Sequence, residues 1–474
     1  MLVMGILAPA SPSVVHGAIF HVPSDQPTIQ AAINAASAGD FIQVSPGTYS
    51  ERLVVNKPIH LVGASRENTI IDGQHMGTVV WVNSSNVEIS GFTVRNPDDL
   101  GWGVHVERSN GVNITSNTVS ASTRSDAVNL YRANNTLVDG NIFSFNLLAV
   151  NVTSSLLERI TNNQAVLSNA IGVQLEDSSE NLVFNNVFSG GQEGIDILQS
   201  SRNNVTRNLF KDNTIYGILV EPDFYNATAS EFPQNNTIIE NTFQRNRIGV
   251  NLQNATRNTF YHNDFFASTF RHVNPVAGST GVVINSPNFW DNGTGFVSGN
   301  YWDDYAGTDA DGDGIGDTPY SIGGNNQDLR PLWAPFLPVP VLVKAVQAIP
   351  SRGAAPLNVT LSGSVIGTLT PFSYVWDFGD GSVRGSGASL GHTFAQPGNF
   401  TVTLTVMDAA GGADSSTIRV EATAGVPGSR SPFPTVPVAL GVVAVLGVLG
   451  FLFLWRRGRV KRRAGVKGRN LKRL

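Results

Sequence analysis

The chain has 474 residues, no cysteine and a formal net charge of −5. That length calls for more than one domain, and the absence of cysteine excludes a disulfide scaffold, a Cys-ligated zinc or iron–sulfur centre and a thiol nucleophile. Charged residues make up only 14% against 41% hydrophobic, a balance that supports a packed core and not a disordered chain. The charge is split along the chain. No acid follows Glu421, and residues 456–474 carry ten Lys/Arg; the remainder holds 21 basic and 36 acidic residues, a net −15.

Residues 1–18 (MLVMGILAPASPSVVHGA) are apolar and end in small residues. They resemble the later part of a secretory signal without its basic start. Thr28–Ala36 (TIQAAINAA) predicts a short helix closed by Gly39. Placed at the head of a repeat array, such a helix covers the open edge that would otherwise pair with another chain.

From about residue 100 to 300 the sequence repeats. Strand-like units begin at Gly103, Ala127, Ala149, Gly172, Gly194, Gly217, Gly249 and Gly281, spaced by 24, 22, 23, 22, 23, 32 and 32 residues. A second unit opens with Asn117, Asn141, Asn163, Asn186, Asn208, Asn241, Asn263 and Asn300. A fixed period of this length means a solenoid or array. The units are about four residues long, β-rich, free of helical periodicity and bounded by Asn, Gly and Ser, which points to the coils of a parallel β-helix. Alternation puts Val104 and Val106 inside and His105 outside. Asn tolerates the left-handed region and bonds locally, so it suits the turns and can form amide ladders when coils stack.

The outward row predicted from these units runs His105, Asn129, Asn151, Gln174, Asp196, Leu219, Asn251 and Val283, with Trp102, Asp126, Glu193 and Tyr216 beside it. An aromatic near amides and carboxylates is the composition of a glycan site, so the candidate carbohydrate-binding residues are Trp102, His105, Asp126, Asn129, Asn151, Gln174, Glu193, Asp196 and Tyr216. The plainer reading is that outward positions are polar because they face water. Asp126 and Asp196 fall three coils apart, about 14 Å at about 4.8 Å per coil, beyond the roughly 5–9.5 Å that paired glycosidase carboxyls need. Glu193 and Asp196 share a coil, with their directions open. No Ser-His-Asp set or phosphate loop stands out, and no catalytic residue is assigned.

Asp309, Asp311, Asp313 and Asp317 occupy positions 1, 3, 5 and 9 of a loop with Gly314 at position 6 and the Ile315 carbonyl at position 7. Hard oxygen ligands from alternate residues around a forced turn are the front half of a calcium loop. Position 12 is Tyr320, so it is not an EF-hand; Asp303, Asp304, Asp328 or water would complete the shell. The expected cofactor is structural calcium.

The opening segment IQAAINAASAGDFIQVSPGTY with PIHLVG and TIIDG resembles the start of right-handed parallel β-helix proteins of the pectin-lyase-like superfamily. Gly299–Leu332 (GNYWDDYAGTDADGDGIGDTPYSIGGNNQDLRPL) resembles the C-terminal hallmark of NosD-like β-helix proteins, common on archaeal cell surfaces. The resemblance covers about 19–335. Its founding members are linked to copper delivery, yet four Met, no Cys and scattered His present no soft copper(I) ligand cluster.

Pro335–Pro340 marks a boundary, and 341–422 changes to short alternating strands. The motif Tyr374–Gly381 (YVWDFGDG), with His392–Phe394 and Pro397–Phe400, is similar to the PKD domain, an Ig-like β-sandwich used as a spacer; Trp376 and Phe378 are expected in its core. Residues 423–437 form a Gly/Pro linker. Residues 438–455 carry no charge and rise about 27 Å as a helix, so a transmembrane helix is predicted. The tail 456–474 then lies in the cytoplasm against lipid headgroups and is not a nucleic-acid arm. Eleven N-x-[ST] sites all precede the span.

The expected molecule is therefore all-β: a right-handed parallel β-helix, an Ig-like sandwich and one C-terminal span through the bilayer. Its body, outside the cell, binds carbohydrate or a surface partner. The alternatives are a polysaccharide lyase, hydrolase or epimerase, and a copper-delivery accessory protein.

Overall fold

The computed structural model describes residues 17–424 apart from 121–123, 167–169, 223–231, 275–286, 293–298, 324–325, 339–340 and 410. The signal-like segment up to residue 16, the Gly281 unit with Val283, and the predicted linker beyond 424, span 438–455 and tail 456–474 lie outside the described residues. Among the described residues, no helix is long and apolar enough to cross a membrane.

Short strands stack into three parallel sheets. The first runs from Ile19–Val22 to Thr259–Tyr261, the second from Gly47–Tyr49 to Tyr301–Trp302, and the third from Leu53–Val55 to Arg271–Asn274. Each coil contributes one strand to each sheet, and neighbouring sheet positions are filled by the next coil. The result is a parallel β-solenoid. Its interior is filled by the inward residues of each strand: Val104, Val106, Val128, Leu130, Ile195 and Ile197 are all fully buried.

The repeated Asn residues explain why the coils stack in register. The Asn141 Oδ1 accepts from the Asn117 backbone N–H at 2.9 Å, and the same bond recurs through Asn163, Asn186, Asn208, Asn241, Asn263 and Asn300. Each amide also donates across the turn, as Asn208 does to the Val183 carbonyl at 2.9 Å. Turns carry backbone groups that no strand partner reaches, and a buried unpaired one costs about 1–3 kcal/mol. The predicted amide ladder is thus present. A second ladder runs Asn181, Asn203, Asn236, Asn258, Asn288 and Asn326, with Glu158 at its head in place of Asn.

A ring ladder runs beside the first. Phe188, Phe210, Phe243, Phe265, Trp302 and Tyr320 stack with centroids 5.4, 4.9, 4.6, 4.5 and 4.3 Å apart. Its presence forces small residues on the adjacent corner. A Cβ on Gly217 would stand 2.5 Å from the Gly249 carbonyl and 2.8 Å from the Phe243 ring.

The N-terminal edge is capped as expected. The helix Ile29–Ala35 buries Ile29, Ala32 and Ile33, and Thr28 caps it by accepting from the Ala31 N–H. Glu51 accepts the Ile29 and Gln30 N–H groups. At the far end Asp328 is buried and accepts from the Asn300 backbone and the Trp302 indole.

Residues from Leu342 to Thr423 form a sandwich of a three-stranded and a five-stranded sheet. Trp376 and Phe378 lie in its core at 0% and 4% exposure. Asp377 and Asp380 hold the turn by accepting from Gly379 and Ser382. The sandwich is fastened to the solenoid. Asp414 accepts from Arg245 at 2.6 and 3.0 Å, from Lys211 at 2.6 Å and from the Val343 N–H at 2.7 Å. Asp264 takes the Phe336 and Leu337 N–H groups of the connecting segment.

Candidate functional site

The outward face of the third sheet carries the predicted residues. Its central row is Val54, Trp81, His105, Asn129, Asn151, Gln174, Asp196, Leu219, Asn251 and Asn274 in strand register. The last member corrects the expected Val283. The strand that pairs with Ile248–Leu252 is Arg271–Asn274, one ordinary coil further on. It was hidden because His272 occupies the corner where other coils have Gly or Ala, packed beside Phe265 and Trp302.

Leu148, Ile171, Glu193, Tyr216 and Ile248 form a flanking row in direct register. The Trp102 and Asp126 carbonyls accept from Val79 and Gly103, which sets these two residues in the coils before it. On the other side of the central row stand Glu107, Tyr131, Thr153, Glu176, Leu198 and Glu221. The nine predicted glycan residues therefore share one face but do not converge. They run over six consecutive coils, with Asn151 and Gln174 joining an aromatic cluster to an acidic one and Leu148 and Ile171 on the flank between.

The first end is aromatic. The His105 ring stacks on Trp102 at 4.2 Å and lies 6.1 Å from Trp81. Its Nδ1 meets the Asn129 Oδ1 at 2.9 Å. The outward His105 is only 6% exposed because these neighbours cover it. Burial lowers its pKa despite the bond to Asn129, which keeps the ring neutral. Thr78, Trp81, Trp102, His105, Glu107, Asn129 and Tyr131 line a cleft of about 460 Å³. Asp126 accepts from Asn151 at 3.2 Å, and burial raises its pKa. Sequence reasoning missed Trp81. The signal was there: VVWVNSSNVEIS repeats the pattern of GVHVERSNGVNIT one coil earlier, without the leading Gly.

The second end is acidic. Glu193 and Asp196 lie on one strand and Glu221 on the next. Gln174 donates to the Asp196 Oδ2 at 2.9 Å, while the Asp196 Oδ1 and the Glu193 Oε2 are buried without a hydrogen-bond partner. Burial, then the charges of Asp196 and Glu221, raise Glu193 to about 8. Burial, then Asp196, raises Glu221 to about 7. Asp196 is raised to about 6, by burial more than by Glu176 and against the Gln174 bond.

In the predicted calcium loop, the carboxylates of Asp309, Asp311 and Asp313 offer oxygens all within 4.8 Å of one another. Gly312 and Gly314 take positive φ of 74° and 84° to make the turn. Asp317 is not in this group; its Oδ2 accepts from the Thr308 hydroxyl and the Ala310 N–H. Ile315 bridges to Leu332 and donates its N–H to Asp313. Asp303 and Asp304 turn instead to His272, whose Nε2 lies 2.9 and 3.4 Å away. Burial opposes charge on that imidazole, but these two bonds outweigh it and raise its pKa to about 9.

Two family models match the chain in agreement with this architecture. A family model described as PKD domain matches residues 338–423. One solved structure, on the promiscuous specificity of carbohydrate-binding modules of the β-sandwich superfamily, is 26% identical over 20% of this chain, with a TM-score of 0.18; the chain spans only 38% of that structure. The A-module of the Azotobacter vinelandii mannuronan C-5 epimerase AlgE6 is 15% identical, covering 55% of this chain and 92% of its own, with a TM-score of 0.33. The catalytic domain of a GH87 α-1,3-glucanase in complex with nigerose is 13% identical, covering 62% and 71%, with a TM-score of 0.35. The model described as Periplasmic copper-binding protein (NosD) matches residues 33–230 and 223–307, more than half of the chain. The chain belongs to the NosD family, with a PKD domain following its β-solenoid.

Proposed function

We propose that the exposed face of the third sheet is a saccharide-binding groove on a membrane-anchored surface protein. The observation that carries this reading is the aromatic end. Trp81 and Trp102 flank a neutral imidazole over a cleft of about 460 Å³ edged by Thr78, Glu107, Asn129 and Tyr131. An apolar aromatic floor with a few placed polar groups is how small-ligand clefts achieve both affinity and orientation. A sugar offers a matching pair of surfaces, an apolar C–H face for the indole and hydroxyls for the amide and carboxylate. The test is calorimetric titration of the full chain with neutral oligosaccharides. Binding that weakens at least tenfold in Trp102→Ala supports the groove. No binding at millimolar ligand sinks it and leaves a surface-protein partner as the reading of this face.

The anchoring part of the proposal rests on the uncharged stretch 438–455 followed by ten cations, a pattern that supports a body outside and a tail inside. Calcium in the 309–317 loop is supported by the three gathered carboxylates, with a structural role at the last coil. A second reading, polysaccharide cleavage or epimerisation, draws on the acidic end, where carboxyls raised toward neutrality have the acid–base range such chemistry needs.

Copper binding, which the family's description implies, meets an unsuitable donor set here. The chain has no Cys, and its described methionines, Met76 and Met407, are 56% and 42% exposed on separate domains. His60, His105, His272 and His392 are each engaged by a neighbouring Glu, Asn or Asp. Soft copper(I) needs clustered sulfur or free imidazole, and the described residues gather neither.

A further inference from the structure

The acidic end of the groove has no use in the aromatic platform. We propose that Glu193, Asp196 and Glu221 form a subsite for an ammonium group, so that the groove takes an oligosaccharide bearing free amino sugars and rejects polyuronates. The inference rests on the saccharide reading above and names the ligand class within it.

The first ground is unmet hydrogen-bonding capacity. The Asp196 residue is 4% exposed, and its Oδ1, like the Glu193 Oε2, is buried with no partner. A buried acceptor left empty costs about 1–3 kcal/mol, more for a charged group, so a donor arriving from the ligand recovers that cost.

The second ground is charge. Among the described residues, no Lys, Arg or His forms an ion pair with any of the three. Residues 223–231, which follow Glu221, contain no Lys or Arg. Glu107, Asp126 and Glu176 extend the same sign along the face. A polyuronate would bring its carboxylates against this row, and like charges at close range cost several kcal/mol.

The third ground is reach. The two ends of the groove are four coils apart, from His105 to Asp196, which is about 19 Å at about 4.8 Å per coil. One oligosaccharide of several units thus reaches both, stacking at Trp102 and placing an amino group at Glu193.

The test is titration of the full chain at pH 7.5 with three probes: a glucosamine oligomer, its N-acetylated counterpart and an oligogalacturonate. The expected result is at least tenfold tighter binding of the free amine than of the acetylated oligomer, with no binding of the uronate. Glu193→Gln and Glu221→Gln should each cut that ratio toward one, while circular dichroism shows the fold retained. Equal affinity for amine and acetylated forms, or preference for the uronate, overturns the inference and leaves the saccharide groove standing. No binding of any probe or neutral glycan overturns both. Calcium binding that Glu193→Gln abolishes, or cleavage of an oligomer that it abolishes, assigns the carboxylates elsewhere and overturns the inference.

Discussion

Removing the Asp414 carboxylate should release the PKD domain from the solenoid. Its side chain is 4% exposed and takes charged donors from two successive coils, Lys211 at 2.6 Å and Arg245 at 2.6 Å. Burial works against its charge, but the bonds from Arg245 and Lys211 win and lower its pKa from 3.8 to about 2. At about 1.36 kcal/mol per pKa unit, that difference amounts to about 2.5 kcal/mol. Breaking a buried pair outright costs about 3–5 kcal/mol. The lower figure suits this site, because Arg245 keeps Asp212 at 2.6 Å when Asp414 is gone. Part of this comes from the Val343 N–H, which stays within the sandwich, so about 2.5 kcal/mol sets an upper limit of roughly 60-fold on the shift in the docked-to-released ratio. Asp414→Asn should therefore speed proteolytic nicking in the connecting segment around Pro335–Pro340 and split a joint melting transition into two. A cycle with Arg245→Ala measures the coupling directly. Because the folded pKa lies below the unfolded one, this stabilisation is full above about pH 4 and is lost as pH falls through about 2. Nicking and melting that match wild type within about 0.5 kcal/mol, the usual range of an inert surface change, would refute the argument.

Glu158 heads an asparagine ladder, buried, with its pKa raised by burial to about 8. In the unfolded chain this carboxyl ionises near 4.5, so stability is lost as pH rises from there to about 8. Glu158→Asn restores the ladder residue and should raise Tm, more at pH 8 than at pH 4.5. Asn208→Ala leaves the Asn186 N–H without its acceptor and removes the amide's bond to the Val183 carbonyl; it should cost about 1–3 kcal/mol in denaturant unfolding. Gly217→Ala drives a methyl to 2.5 Å from the Gly249 carbonyl and should destabilise by about 1–3 kcal/mol. If calcium holds the 309–317 loop, chelation will increase proteolysis there, and Asp311→Asn will be as sensitive without chelator as wild type is with it.

The fold was legible because its determinants are local and repeated. Each coil restates Gly/Ala–Val–x–Val and an Asn turn, so alternation and spacing alone imply stacked parallel strands and the amide ladder. What the repeats did not announce was lost. Trp81 went unread because its coil lacks the leading Gly, and Arg271–Asn274 because His272 breaks the corner. Glu221 lay one strand from the predicted pair, and only register placed it opposite Leu198, two residues along from Asp196. The docking of Lys211 and Arg245 on Asp414 joins residues 203 and 169 positions apart, beyond any periodic signal. The two-ended character of the groove also needed coordinates, because a row read from sequence has no gaps.

That row behaves as a ruler. Each coil bonds only to its neighbours, so a whole repeat of about 22 residues can in principle be gained or lost without rebuilding the others. Such a change between Asn129 and Gln174 would move the aromatic and acidic ends by about 4.8 Å while leaving both intact. The length of ligand that bridges them is thus set by how many coils intervene, a quantity that duplication and deletion adjust in whole steps.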